Sequence, residues 1–306
     1  MTLDDAWPAL RYEEWAPTKK ALHLYAQMLG KLKLALNPAQ PEWLHAGLML
    51  DARGLATGPL PCGGRVLDGA IDLLDGVLRL RASDARAIEI PLVGGRSVAE
   101  VWGEFQAALD RLGVEVALWD KPQEVADATP FAADTRERTV DRGQAQRLHR
   151  LLGTMYGVLD EFRSPFFGRT GVQFWWGAFD LAVLLFSGRQ VTPPAGLGYI
   201  MRHDLDAEHL NAGLWLGDDS APQAIVYAYI HPRPDGCETV RIEPEEAGWV
   251  EAMGEWILPY DEVCASADPR AVVSGFLRSA YRAAVDIGGW DEQAQRYPRP
   301  APRQIP

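Results

Sequence analysis

The chain has 306 residues and a formal net charge of -12, with 47% hydrophobic and 24% charged residues. That supply of apolar side chains fills a sizeable core and excludes a disordered chain, and the length suits two lobes of ordinary size. The 42 acidic residues outnumber 30 basic ones, and the basic ones are scattered, which argues against nucleic acid and anionic membrane as partners. The cysteines, Cys62, Cys237 and Cys264, have no CxxC spacing, so neither a disulfide framework nor a cysteine zinc site is expected. The opening MTLDDAWPAL lacks a basic stretch followed by an apolar one, and the apolar run at residues 181–186 is too short to span a bilayer. The expectation is a soluble, cytoplasmic protein.

In chain order, Pro17 reads as the first position of a helix through KKALHLYAQMLGKLKLAL that stops at Asn37-Pro38. EWLHAGLMLDA reads as a strand. Residues 67–74 and VLRLRA flank Asp75-Gly76, which predicts a hairpin with a two-residue turn, and AIEIPL extends the antiparallel sheet. Ser97 and Glu100 form a capping box ahead of the helical spacing Val98, Val101, Trp102, Phe105, Leu109 and Leu112, with Gly113 as the stop. Residues 120–142 are polar and aperiodic and read as a connection between lobes. Asp141 and Gln144 cap a second long helix carrying Leu148, Leu151, Leu152, Met155, Val158, Leu159 and Phe162. VQFWWGAFDLAVLLFSGR reads as two buried strands about Gly177, LNAGLWLG and AIVYAYIHP as further strands, and Asp268-Pro269 as the start of a late helix. The tail from Gln293 reads as disordered or draped over the surface.

These elements predict an α+β fold of two lobes, residues 1–125 and 126–292, each of antiparallel strands packed with helices, followed by a Pro-rich tail, 293–306. The match of LHAGLML at 44–50 with LNAGLWL at 210–216 raises a pseudo-symmetric duplication, against a chance likeness of apolar strand residues.

Several segments resemble the bacterial family of domain of unknown function 5996: WPAL, LHLYAQMLGKLKLAL, ARGLATGPLP, RSVAEVWGEFQAAL, FRSPFFGR, QFWWGAFDLA, FSGR, AGLWLG and LPYDEV. The resemblance runs from about Trp7 to Trp290 and is most distinctive at GKLKLAL and FWWGAFDLA. It implies no activity, cofactor or substrate. Pro41-Glu42 before Trp43, and Gln173 before FWWG, stand where the family pattern tends to carry histidine.

Candidate functional residues each carry two readings. His23, Gln27 and Lys31, at i, i+4 and i+8, form one stripe that faces either a pocket or solvent. His45, beside Trp43 in the expected strand, is a ligand contact or a hydrogen-bonded structural histidine. HDLDAEH, residues 203–209, gathers ligand types of zinc, iron or manganese without HExxH spacing, and the solvated acidic loop is the preferred reading; no metal ligand is assigned, and His209 is the member kept. Asp180, in an apolar run, is a buried acid paired with Arg189 or Arg163, or a general acid or base. Among 11 tryptophans, Trp175, Trp176 and Trp215 are candidates for a ligand-lining surface.

There is no P-loop, GxGxxG, GxSxG, kinase or zincin signature, and the glycine-rich turns at 57–64 lack a phosphate-loop lysine, so no cofactor is expected. The favoured expectation is a protein that binds or transforms a small organic molecule, anionic ones included, in a Trp-lined cleft between lobes. There Asp180, His209 or His23 serves as acid or base, Lys31, Arg53 and Arg189 hold an anionic group with Gln27 and His45 alongside, and Trp175, Trp176 and Trp215 pack the apolar part. The alternatives are a non-catalytic ligand-binding or interaction module with structural tryptophans and, third, a metal-dependent enzyme. The sequence assigns no oligomeric state.

Overall fold

A computed structural model describes residues 6–197 and 199–296. The chain is an α+β protein of helices and antiparallel sheets. It divides into two compact units, one of Met1–Met155, Gln173–Leu181 and Trp215–Ala224, the other of Tyr156–Val172, Ala182–Leu214 and Ile225–Pro306.

In the first unit, α1 spans Tyr12–Leu36 and contains Pro17 instead of starting with it. Burial of Tyr12 and Trp15 on the first turn outweighs the one backbone bond that a proline removes, and Glu13 and Glu14 favour the positive helix end. The sheet comprises β1 (Met49–Leu50), β2 (Gly54–Ala56), β3 (Leu60–Cys62), β4 (Arg65–Asp72), β5 (Val77–Ala82) and β6 (Ala87–Pro91). Its order is β1-β2-β4-β5-β6, with β3 also on β4. Pairing of Gly69 with Leu80, Ile71 with Leu78 and Leu78 with Ile90 sets one apolar face, and α1 lies on it so closely that a Cβ on Gly69 would sit 2.8 Å from Leu29.

The Asp75-Gly76 hairpin is present, but Asp72 pairs with Val77, which leaves a four-residue loop instead of a two-residue turn. The buried Asp72 carboxylate holds it by accepting from Leu74 N at 3.0 Å and Asp75 N at 2.9 Å. His45 is not on a strand either: Pro41–Trp43 is a 3-10 turn and His45 lies in the turn after it. Its ring nitrogen accepts from Gln40 N at 3.1 Å, a local bond that competes with strand pairing.

The helix α2 spans Val98–Leu112 with both halves of the Ser97–Glu100 capping box formed and Gly113 in the left-handed conformation. The following segment folds within this unit, with Phe131 wholly buried and β8 (Glu137–Arg138) paired to β7 (Arg96–Ser97). The long helix α3, Arg142–Arg163, starts as its capping residues require, Asp141 accepting from Gln144 N at 2.8 Å. The FWWGAFD stretch gives β9 (Gln173–Trp175), a turn, and the start of β10 (Asp180–Gln190). Phe174 and Leu48 exchange backbone hydrogen bonds of 2.8 and 2.9 Å.

In the second unit the strands run β13 (Gly248–Val250), β14 (Glu255–Pro259), β12 (Ile225–His231), β11 (Ala207–Trp215), β10. In sequence the helix α4 (Tyr199–Asp204) precedes β11 and α5 (Tyr260–Ala265) follows β14. The helix α6, Pro269–Asp286, is capped by Asp268, which accepts from Ala271 N at 3.0 Å, and it buries Val273, Phe276, Leu277 and Ala280. The tail does not begin at Gln293, because Asp291 caps a short helix, α7 (Glu292–Gln295), that buries Gln295; residues 297–306 lie outside the described residues. The matched heptapeptides differ in structure. Leu44 and His45 lie in a turn, whereas Leu210 and Asn211 lie within β11.

Removing the capping-box hydroxyl with Ser97→Ala should cost about 1 kcal/mol, read as a lower denaturation midpoint with an unchanged denaturant slope.

Candidate functional site

Every residue of α1 from position 21 to 33 is buried. This stretch of the helix is therefore solvated on no side, and the solvent-facing reading of the His23, Gln27 and Lys31 stripe is overturned. The stripe begins one turn earlier, at Lys19, also buried. Polar groups placed this way need partners within the protein.

Two of them find partners in loops. The His23 imidazole Nε2 lies 2.8 Å from the Gly177 carbonyl and 3.2 Å from Gln27 Nε2. Gln27 clamps a backbone residue from both sides, its amide donating to Gln123 O at 2.7 Å and its carbonyl accepting from Gln123 N at 2.8 Å. One turn over, buried Lys33 donates to the Gly47 carbonyl. These contacts tie the helix to the loops around it.

Lys31 is different. Its ammonium lies 4.7 Å from the Trp119 ring centroid, 5.7 Å from Trp176 and 5.9 Å from Phe131. Among the described residues no carboxylate lies within 4 Å of it. Cation–π contacts of this kind are worth on the order of 0.5–2 kcal/mol, against several kcal/mol for desolvating an ion. Desolvation accordingly wins: burial brings the Lys31 ammonium down to about 8, opposed only by the more distant charge of Asp120. Lys19 also comes down to about 8 by burial, but Asp218 and Asp219 act on it in the other direction. Asp219 additionally accepts from Tyr12 at 3.0 Å and pairs with Lys20 at 2.7 Å, so the first turns of α1 carry acidic neighbours that Lys31 lacks.

The cage is set by close backbone approach. Gly30 lies against the Trp176 indole, whose ring a Cβ would meet at 2.2 Å, and Trp176 Nε1 donates to Ala46 O at 2.9 Å. Trp119 is the open wall, 59% exposed.

The helix and the FWWGAFD stretch fall in the same unit, so their meeting does not require the inter-lobe cleft that the sequence suggested. Trp175 is half-buried there with its Nε1 unpartnered among the described residues, and Trp215 Nε1 donates to Ala178 O at 3.1 Å. Asp180 is buried. Of the two arginines expected beside it, Arg163 bonds Asp160, and Arg189 bonds Glu208 at 2.6 Å and the Gly288 carbonyl at 2.8 Å. Arg53 is engaged by Asp72 and Asp75. His45 stacks on Trp43 at 5.6 Å.

His209 belongs to the second unit, wholly buried, with Nδ1 2.9 Å from the Ala207 carbonyl, and burial lowers its pKa to about 4. Among the described residues no group of three or more His, Cys, Asp or Glu is placed to hold a metal, and no helix is long and apolar enough to cross a membrane. Gln173, where the resemblance led to an expected histidine, donates from Nε2 to Leu44 O at 3.4 Å.

Sequence reasoning missed Lys19, Trp119, Gln123 and Phe131. The signal for Lys19 was the i−4 continuation of the stripe; the other three sit in aperiodic chain, where spacing carries no information.

Two outcomes check this geometry. Gly30→Ala gains about 1 kcal/mol of helix propensity, yet should destabilise by roughly 1–3 kcal/mol because the methyl group collides with Trp176; equal or greater stability would show a looser contact. His23, lowered to about 4 by burial, should stay neutral in an NMR titration down to about pH 5. The unfolded chain protonates near pH 6.5, so the stability His23 contributes is complete above 6.5 and lost as pH falls towards 4. A His23 midpoint near 6.5 would contradict its burial.

A family model described as a family of unknown function, DUF5996, matches residues 7–297. No curated protein and no solved structure matches the chain. The match extends over nearly the whole length, and the chain belongs to the DUF5996 family.

Proposed function

We propose that the protein binds a small organic anion, a carboxylate with a flat apolar body, at Lys31. The observation that carries this reading is the ammonium held among Trp119, Trp176 and Phe131 with no carboxylate of the described residues within 4 Å. A buried cation lacking a counter-ion is stabilised by any anion that reaches it, and the rings around it offer faces to an apolar body. Trp119, exposed and lying over the ammonium, is the wall such a ligand meets first. Two of the stretches on which the resemblance to the family rests, GKLKLAL and FWWGAFDLA, contain Lys31 and Trp176. His23 and Gln27 support the site by fixing α1 against Gly177 and Gln123.

The charge gives the test its sign. Lys31 is an ammonium below about pH 8 and loses its proton above it, so affinity for an anion is present at pH 7 and falls as pH rises. At pH 9, with about a tenth of the ammonium left, binding should be about tenfold weaker than at pH 7. A panel of aromatic and aliphatic carboxylates, followed by tryptophan fluorescence and thermal shift, should yield a ligand that stabilises the wild type. Lys31→Met keeps the apolar stem and should abolish that response with little change in the unliganded melting temperature. Equal affinity at pH 7 and pH 9, or binding retained by Lys31→Met, would remove this reading.

A further inference from the structure

The second unit contains a partly open cavity of about 170 Å³ between the end of α3 and one face of α6, bordered also by Glu292 of α7 and by Arg296. Its floor is aromatic. Phe162 and Phe166 lie 5.8 Å apart edge to face, Phe166 and Tyr281 lie 4.6 Å apart, and the Arg296 guanidinium lies over Phe166 at 5.8 Å and Tyr281 at 6.0 Å. Along α6, Ser274, Arg278 and Arg282 follow one another at i, i+4 and i+8, so all three reach the cavity from one stripe.

The lining charges do not cancel. Glu161 is bound by Arg270 at 2.6 Å and Glu292 by Arg296 at 2.8 Å, whereas Arg278 and Arg282 have no carboxylate of the described residues within 4 Å. Two guanidiniums four residues apart on one face repel each other unless an anion lies between them. In a chain of net charge -12, the place where positive charge is left over beside a cavity is a departure from the general surface.

We infer that this cavity is a second binding site, for a small aromatic dianion: one flat ring bearing a phosphate or a pair of carboxylates. Two arginines match a dianion in charge and give forked donors to its oxygens, Ser274 adds a hydroxyl one turn away, and the ring joins the Phe162–Phe166–Tyr281 cluster. The volume is below the roughly 300 Å³ at which sites for drug-sized molecules begin, which limits the ligand to about one ring. The site is independent of Lys31, which lies in the other unit.

Calorimetric titration of the full chain with phenyl phosphate, with inorganic phosphate as the ring-less control, tests this. Phenyl phosphate should bind at least tenfold tighter than inorganic phosphate. Arg278→Ala and Arg282→Ala, both at exposed positions, should each weaken it about tenfold or more without lowering the melting temperature, and Lys31→Met should leave it unchanged. Phthalate in place of phenyl phosphate, titrated in the Lys31→Met background so that the first site does not contribute, should show the same dependence on both arginines. Equal affinity for phenyl phosphate and inorganic phosphate would overturn the aromatic half of the inference. Indifference of phenyl phosphate binding to both arginine substitutions, or its loss in Lys31→Met, would overturn the site.

Discussion

A helix buried on every side has to satisfy its polar groups inside the protein, and the first unit is organised by that constraint. Residues 21–33 of α1 leave no solvated face, yet they include His23, Gln27, Lys31 and Lys33. A water-exposed helix would solvate those four side chains at no cost. Here the carbonyls of Gly177, Gln123 and Gly47 answer three of them, and each answer fixes a stretch of chain that has no regular structure of its own. The order in these loops is thus inherited from the helix.

The same constraint explains why glycine recurs where the helix meets its neighbours. Gly69 on β4 admits Leu29, and Gly30 on the helix admits the Trp176 indole. Each contact replaces a side chain with direct approach of backbone to an apolar group, in keeping with the dense packing of protein interiors. The position of Trp176, and with it one wall of the cage around Lys31, follows from a missing methyl group on α1.

What was legible in the sequence was local chemistry. The Ser97–Glu100 box, the Asp141 and Asp268 caps and the Asp75-Gly76 hairpin act through bonds spanning a few residues, so short patterns predict them. Where packing or a nearby side chain overruled the local rule, the sequence misled. Pro17 did not start α1 because Tyr12 and Trp15 bury on the turn before it. The hairpin loop was longer than the Asp-Gly signal implied because Asp72 bonds two amides of the loop. The polar stripe of α1 was visible from its spacing, since 3.6-residue periodicity fixes which side chains share a face; whether that face is wet or dry is decided by partners remote in sequence. Trp119 and Phe131, which decide it for Lys31, carry no periodic signal. Arg189 shows the same limit, because its partner Glu208, on the strand after β10, is one that spacing alone does not reveal.

An excess of acidic residues opposes the approach of anionic polymers, an effect that does not extend to small anions at buried cations. At physiological salt the Debye length is about 8 Å, so a net charge of -12 spread over the surface acts on an approaching anion only weakly, whereas an ammonium 4.7 Å from an indole face acts at contact and in a medium of lower dielectric. Distant repulsion slows the encounter and opposes extended polyanions, which must meet many surface carboxylates together. A single small carboxylate meets only the local field. A chain can therefore be strongly acidic overall and still select anions at one desolvated lysine; at the exposed Arg278 and Arg282 it is the local balance of charge that counts, since Glu161 and Glu292 beside the cavity already have their own arginines.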